Sequence, residues 1–110
     1  MRAQMKKALW FQLMTYNLAF KKSALKEWKK LAPNIREIFK KQLLKRLENP
    51  HIPSAAISGG RDLYKIKLRQ LGYRLIYSVF DQTVTVTVFA VGERDKNKVY
   101  ELALSRLKLG

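Results

Sequence analysis

Between Leu63 and Val91 the chain reads as three β-rich segments separated by turns too short for anything but hairpins, and this decides most of what it can become. The segments are Leu63 to Leu68, Tyr73 to Phe80 and Thr83 to Val91. Gln70-Leu71-Gly72 joins the first two, and Asp81-Gln82 joins the second pair. Such turns leave no room for a crossover helix, so neighbouring segments must pair antiparallel, as a meander. A chain of 110 residues holds one such domain and one core.

The flanks supply the rest of the architecture. Tyr16, Leu18 and Phe20 alternate with Thr15, Asn17 and Ala19, the period of a half-buried strand. From Lys21 to Leu31 the period becomes helical, with Ala24, Leu25, Trp28 and Leu31 on one stripe and Lys22, Lys26, Lys29 and Lys30 outside it. Pro33 is expected to break that helix, and Asn34 with Glu37 reads as a capping box opening a second one. Ile35, Ile38, Phe39, Leu43 and Leu47 line a face of this second helix, and Asn49-Pro50 closes it. A loop follows from Asn49 to Asp62. After the meander, Gly92 to Asp95 reads as a turn and Asn97 to Leu107 as a closing helix with Val99, Leu102, Ala103, Leu104 and Leu107 apolar. The order β-α-α-β-β-β-α predicts an α+β domain: an antiparallel sheet with an N-terminal helix hairpin packed on one face, and a C-terminal helix.

Residues 1–13 read as an N-terminal extension and residues 14–110 as the domain. Arg2, Lys6 and Lys7 precede an apolar stretch from Ala8 to Met14, but Gln12 interrupts it and no small-x-small cleavage site follows. No window approaches the length of a membrane span. The expectation is a cytoplasmic protein without a membrane partner. With no cysteine in the chain, a disulfide scaffold and a zinc ribbon are both excluded.

The chain carries 23 Lys and Arg against 8 Asp and Glu, a formal net charge of +15. So large an excess points to a polyanionic partner. Residues 21–48 hold net +7, which suits a solvated helix face as well as a docking surface. Residues 61–74 hold net +4 in half the length, and here the placement is informative. In Tyr64-Lys65-Ile66-Lys67-Leu68-Arg69 the apolar residues face one side of a strand. Lys65, Lys67 and Arg69 face the other, about 7 Å apart. Arg74, returning in the next strand, can approach them. Stacked like charges oppose stability. One or two lysines would suffice to protect an edge strand from aggregation, so the surplus reads as a phosphate-binding surface. Tyr16, Tyr73, Tyr77 and Tyr100 are candidate faces for base stacking.

The eight acidic residues are scattered and none lies in the basic strand, so converging carboxylates for a two-metal site are not expected. His51 is the one histidine, set between two prolines, and is expected to be an ordinary loop residue; one imidazole cannot supply both acid and base. Lys, Arg and Tyr remain. Clustered cations depress the pKa of a neighbouring lysine or tyrosine and stabilise a phosphorane, with the 2′-hydroxyl of RNA as nucleophile.

The run Ala24-Leu25-Lys26-Glu27-Trp28-Lys29-Lys30-Leu31, the block Tyr64-Lys65-Ile66-Lys67-Leu68-Arg69 through Gly72-Tyr73-Arg74-Leu75-Ile76-Tyr77, and Val91-Gly92-Glu93-Arg94 followed by Val99-Tyr100 closely resemble the RelE toxins of bacterial type II toxin-antitoxin modules. The resemblance runs from about Met14 to about Leu107. It implies a microbial-RNase-like fold and a ribosome-dependent mRNA endonuclease that cuts in the decoding A site, inhibiting translation, without metal or cofactor. It implies that Lys65 and Lys67 contribute to proton transfer and charge stabilisation and that Arg74 holds the phosphate. Arg94 adds charge at the leaving group, and Tyr100 positions or activates the 2′-hydroxyl and stacks on a base. Arg69, Tyr73, Lys21, Lys22, Lys26 and Lys29 are the implied RNA contacts, chiefly to ribosomal RNA. The implied partners are a cognate acidic RelB-like antitoxin, which masks the basic patch or displaces the C-terminal helix, and operator DNA for the toxin-antitoxin complex. Glu93 departs from the pattern, standing where relatives often carry a basic residue. Two other readings stand beside this one: a non-catalytic ribosome- or RNA-binding module using the same patch, and a gyrase-inhibiting toxin of the related ParE type, which shares the fold but generally lacks this full basic set.

Overall fold

The structure, a computed structural model, describes residues 15–109. The expected extension and its boundary with the domain lie outside the described residues. The elements are β1 (Asn17–Phe20), α1 (Lys22–Lys30), α2 (Pro33–Glu48), β2 (Leu63–Leu68), β3 (Tyr73–Phe80), β4 (Thr85–Glu93) and α3 (Lys98–Leu109), with short 3₁₀ turns at Pro53–Ala55 and Asp81–Thr83. The α+β expectation holds, and β2 and β3 begin and end where the residue pattern placed them.

The sheet order is β1-β4-β3-β2. Strands β2, β3 and β4 form the expected antiparallel meander. Strand β1, however, joins β4 in parallel, with Asn17 opposite Thr85 and Phe20 opposite Val88, so the sheet is mixed rather than purely antiparallel. The connection from β1 to β4 passes through two helices and two strands, so no tight turn imposes an antiparallel pairing on it.

Three boundaries differ from expectation for identifiable reasons. Pro33 does not merely break α1: it stands at the start of α2, where a fixed φ and a missing N–H cost nothing. Ala32 is the N-cap and no side chain caps it, so the Asn34/Glu37 capping box is not formed. Strand β4 starts two residues late, because Asp81 to Thr83 close a 3₁₀ turn and Val84 adopts a left-handed conformation (φ 50°) before the strand resumes. At its other end β4 runs through Gly92 and Glu93, and the chain turns instead around Lys96 and Asn97, both at positive φ. The β2–β3 turn depends on Gly72 at φ 74°, whose N–H donates to Leu68 O at 2.8 Å.

The sheet is buried on both faces. Ile66, Leu75, Tyr77, Val86 and Val88 pack beneath Ala24, Ile35, Phe39, Leu43 and Leu47 of the helix hairpin. Leu63, Ile76, Phe89 and Ala90 pack on the opposite face against Val99 and Ala103 of α3. Of the apolar helix residues expected inside, Leu25, Ile38 and Leu102 remain exposed.

His51 is not an ordinary loop residue. Its Nε2 donates to both Asp81 carboxylate oxygens, at 2.9 and 3.0 Å, and its Nδ1 lies 2.8 Å from the Tyr64 hydroxyl. A carboxylate only accepts, so Nε2 carries the proton of that bond. Tyr16 donates to the same carboxylate at 2.7 Å. The cluster ties the start of β1, the long loop, β2 and the β3–β4 turn together at one end of the sheet. Hydrogen bonds from His51, then Tyr16, hold the Asp81 pKa below its ordinary value of 3.8. The bond to Asp81, followed by burial, pushes Tyr16 up to about 12. Asp81 therefore contributes stability above its unfolded pKa, and loses it as pH falls through the lower folded one. Tyr16 contributes fully below about 10 and loses that contribution as pH rises toward about 12. The melting-temperature gap between wild type and Asp81→Asn is expected to be widest from pH 5 to 9 and to narrow in both directions. A constant gap across thermal melts from pH 3 to 12 would show that the cluster does not couple folding to protons.

Candidate phosphodiester-binding face

Strand β2 is an edge strand whose alternation separates two environments. Tyr64, Ile66 and Leu68 are buried, while Lys65 and Lys67 are half exposed on the α3 face and Arg69 is exposed just beyond. Register brings the next cation in: Lys67 stands opposite Arg74, as Lys65 stands opposite Ile76. Directly opposed residues share a face of the sheet. Arg74 in turn lies over the Tyr100 ring, its Cζ 5.4 Å from the centroid, so the first turn of α3 closes one side of the face with an aromatic plane.

Arg94 reaches the same face through a device invisible to residue alternation. A register shift between β3 and β4 pairs Tyr77 with Val88 but Ile76 with Ala90, leaving Phe89 as an extra residue. Phe89 and Ala90 both join the α3-side core, whereas Val88 and Val91 join the hairpin-side core. The bulge thus reverses the parity of everything after it. Glu93, opposite Tyr73, falls on the hairpin side, where it accepts a 3.3 Å hydrogen bond from the Tyr73 hydroxyl. The residue after it, Arg94, reverts to the basic side, its N–H bonded to Gly72 O. Glu93 thus lies on the opposite face of the sheet from the basic cluster.

The electrostatic consequence falls on Lys67. Lys65, foremost among the causes, then partial desolvation, then Arg74, Arg69 and Arg94 lower its pKa from the ordinary 10.5. Four cations around one ammonium disfavour a fifth charge, which is the condition for an amine to work as a base. A concavity of about 360 Å³ at Lys67, Leu68, Arg69, Gln70 and Leu71 adjoins this face and is open, as a polymer requires. A second of similar size, at Arg61, Asp62, Asp81 and Thr83, lies at the turn end of the sheet, away from the basic cluster.

Lys65, Lys67, Arg74, Arg94 and Tyr100 are therefore brought together, and Arg69 borders them. Other named residues are not. Tyr73 packs against the hairpin-side core. Tyr77 is fully buried, donating to Pro50 O at 2.8 Å, and Tyr16 is committed to Asp81. Lys22, Lys26 and Lys29 are exposed along α1, forming a separate basic strip. Lys21 sits at the head of α1 with Nζ 5.1 Å from the centre of the Phe89 ring, a cation–π contact on the α3 side. Alternation also gave no hint of Arg46. Its Nη1 donates to Lys65 O at 3.2 Å and to the Tyr77 hydroxyl at 2.8 Å, which satisfies an outward carbonyl of the basic strand. Among the described residues no group of three His, Asp or Glu side chains is placed to hold a metal, and no helix is long and apolar enough to cross a membrane.

The profile of the ParE toxin of type II toxin-antitoxin systems (parDE) matches residues 18–98. The chain is 48% identical over 94 residues to the mRNA interferase toxin RelE of Escherichia coli strain K12, an alignment covering 86% of this chain and 99% of that protein. A mutant of the E. coli toxin RelE in the free state superposes with a TM-score of 0.79 at 47% identity, over 86% of this chain and 99% of that one. The toxin in the intact E. coli RelBE toxin-antitoxin complex superposes with a TM-score of 0.71 at 48% identity, over 74% of this chain and 99% of that one.

Proposed function

This chain belongs to the RelE/ParE toxin family of type II toxin-antitoxin systems, and from that premise we propose that it is an mRNA interferase. It cuts mRNA in the ribosomal A site, in the cytoplasm, by metal-free attack of the 2′-hydroxyl on the adjacent phosphodiester. The observation that carries this reading is the convergence of four cations and one tyrosine on a single open face. Lys67, its pKa lowered by its neighbours, takes the proton from O2′ as the P–O2′ bond forms. Lys65, Arg74 and Arg94 neutralise the dianionic phosphorane. The P–O5′ bond breaks, O5′ takes a proton from the cationic cluster, and a 2′,3′-cyclic phosphate and a 5′-hydroxyl remain. Tyr100 orients the nucleotide carrying the 2′-hydroxyl, against a plane already held by Arg74. The strip Lys22, Lys26 and Lys29, with Lys21 at its head, docks on small-subunit ribosomal RNA.

A RelB-like acidic antitoxin is the matching partner: the related toxin is crystallised with RelB, and a net charge of +15 favours an acidic chain. We extend to the pair the binding of its own operator DNA. Incubating the wild type with programmed ribosomes and with the same message alone tests the function. Cutting is expected on ribosomes only, and Lys65→Ala and Tyr100→Phe are expected to suppress it. Equal cutting by the variants would remove the site; absence of any product, with salt-sensitive binding retained, would leave a binding module. The ParE profile keeps gyrase inhibition as the second reading. Loss of supercoiling activity at toxin concentrations that cut no RNA would establish it.

A further inference from the structure

Strand β1 protects the outer edge of β4 only as far as Val88, after which the chain leaves through Lys21, whose N–H donates to Val88 O. The next two outward backbone groups of β4, Phe89 C=O and Val91 N–H, need other partners. Two side chains from different helices supply them. Arg106 of α3 donates to Phe89 O at 2.8 Å, and Glu27 of α1 accepts from Val91 N at 3.2 Å. The two side chains also join each other in a two-pronged pair, both N–O distances 2.9 Å, with 17% and 26% of their surfaces exposed. An ion pair thus continues the β4 ladder where β1 stops.

Its place gives it a consequence. Phe89 is the bulge residue, and the bulge sets which face Arg94 occupies. Arg106 stands on α3, six residues beyond Tyr100, about 9 Å along one rigid helix. Resting on the function proposed above, we infer that Glu27 and Arg106 are positioning residues of the site, one clamp fixing the aim of Arg94 through the bulge and of Tyr100 through α3. They touch no substrate and act through those two side chains. The clamp also fastens α1, which carries the docking lysines, to the helix that carries Tyr100.

The clamp has a polarity that an ordinary ion pair lacks, since position 27 must accept from an N–H and position 106 must donate to a carbonyl. Arg106→Ala and Glu27→Ala are expected to lower the single-turnover cutting rate at saturating programmed ribosomes by about 100-fold, with half-saturation little changed. In the Arg106→Ala background Tyr100→Phe is expected to cost far less than in wild type, because the ring is already displaced. The exchange Glu27→Arg with Arg106→Glu restores opposite charges but should not restore cutting. Amide hydrogen exchange at Val91 should quicken in the alanine variants while far-UV circular dichroism stays that of wild type. Full rescue by the charge exchange, or an undiminished Tyr100→Phe penalty, would overturn the inference. If the wild type cuts no RNA, the functional reading falls, and protection of the Val91 amide, unchanged or lost in the variants, still decides whether the clamp exists.

Discussion

Arg74→Ala is expected to lower the cutting rate at saturating programmed ribosomes by about 100- to 1000-fold, the range found when a preorganised charge donor is removed from a transition state. The melting temperature should barely move, because Arg74 is half exposed and relieves rather than adds like-charge repulsion when deleted. Two losses accompany that of the phosphate contact. Tyr100 no longer has a cation stacked on it. Lys67 loses one of the charges that lower its pKa, so its neutral fraction at a given pH falls. The acidic limb of the pH–rate profile is therefore expected to move to higher pH in Arg74→Ala. Lys65→Met should move it further, since Lys65 is the foremost of those charges. A profile unmoved in both variants would mean that Lys67 is not the base.

Phe39→Ala is expected to cost about 3–5 kcal/mol of stability. The side chain is fully buried in the middle of α2, against Trp28 with ring centroids 6.5 Å apart, between the hairpin and the sheet. Deleting it removes the ring's transfer free energy and leaves a cavity that a layered domain closes poorly, because sheet and helix are held apart by their other contacts. For a domain of this size the melting temperature should fall on the order of 15 °C. Leu44→Ala, one turn and a residue along the same helix but 53% exposed, is the control, expected within about 0.5 kcal/mol of wild type. Urea titration with unchanged slope would confirm that the difference lies in the folded core. Comparable losses at both positions would mean that α2 is not docked as described.

What the residues alone disclosed was whatever a short stretch of chain decides. Strands β2 and β3 were legible because alternation at Tyr64, Lys65, Ile66 and Lys67 and a turn at Gly72 are local facts. The basic face was legible because alternation fixes which side a strand lysine takes, and the RelE resemblance supplied Arg94 and Tyr100. What stayed hidden was decided by residues far apart in the chain. The parallel seat of β1 on β4 joins positions 68 residues apart. His51 reaches Asp81 thirty positions away, and Arg106 reaches Glu27 at seventy-nine. The bulge at Phe89 also escaped residue alternation, and it sets Glu93 on the hairpin side and Arg94 on the basic side. Val84 had no visible reason to be left-handed, since a β-branched residue is an uncommon occupant of that region.

The net charge of +15 thus resolves into separate tasks. Exposed lysines form a basic strip on α1, which the proposed function assigns to docking on ribosomal RNA. The smaller group on the sheet is aimed by strand register, by a bulge and by the helix carrying Tyr100, and it is dense enough to lower the pKa of one of its own members. The central claim is that this group performs phosphodiester chemistry with the RNA's own hydroxyl. The chemical nature of the cut ends tests it most directly, using programmed ribosomes and an mRNA carrying a single 2′-deoxynucleotide on the 5′ side of the cut. The all-ribose message should yield a 2′,3′-cyclic phosphate and a 5′-hydroxyl, and the substituted one should stay whole at that position. Cutting of the deoxy-substituted message, or a product ending in a free 3′-hydroxyl, would contradict the account.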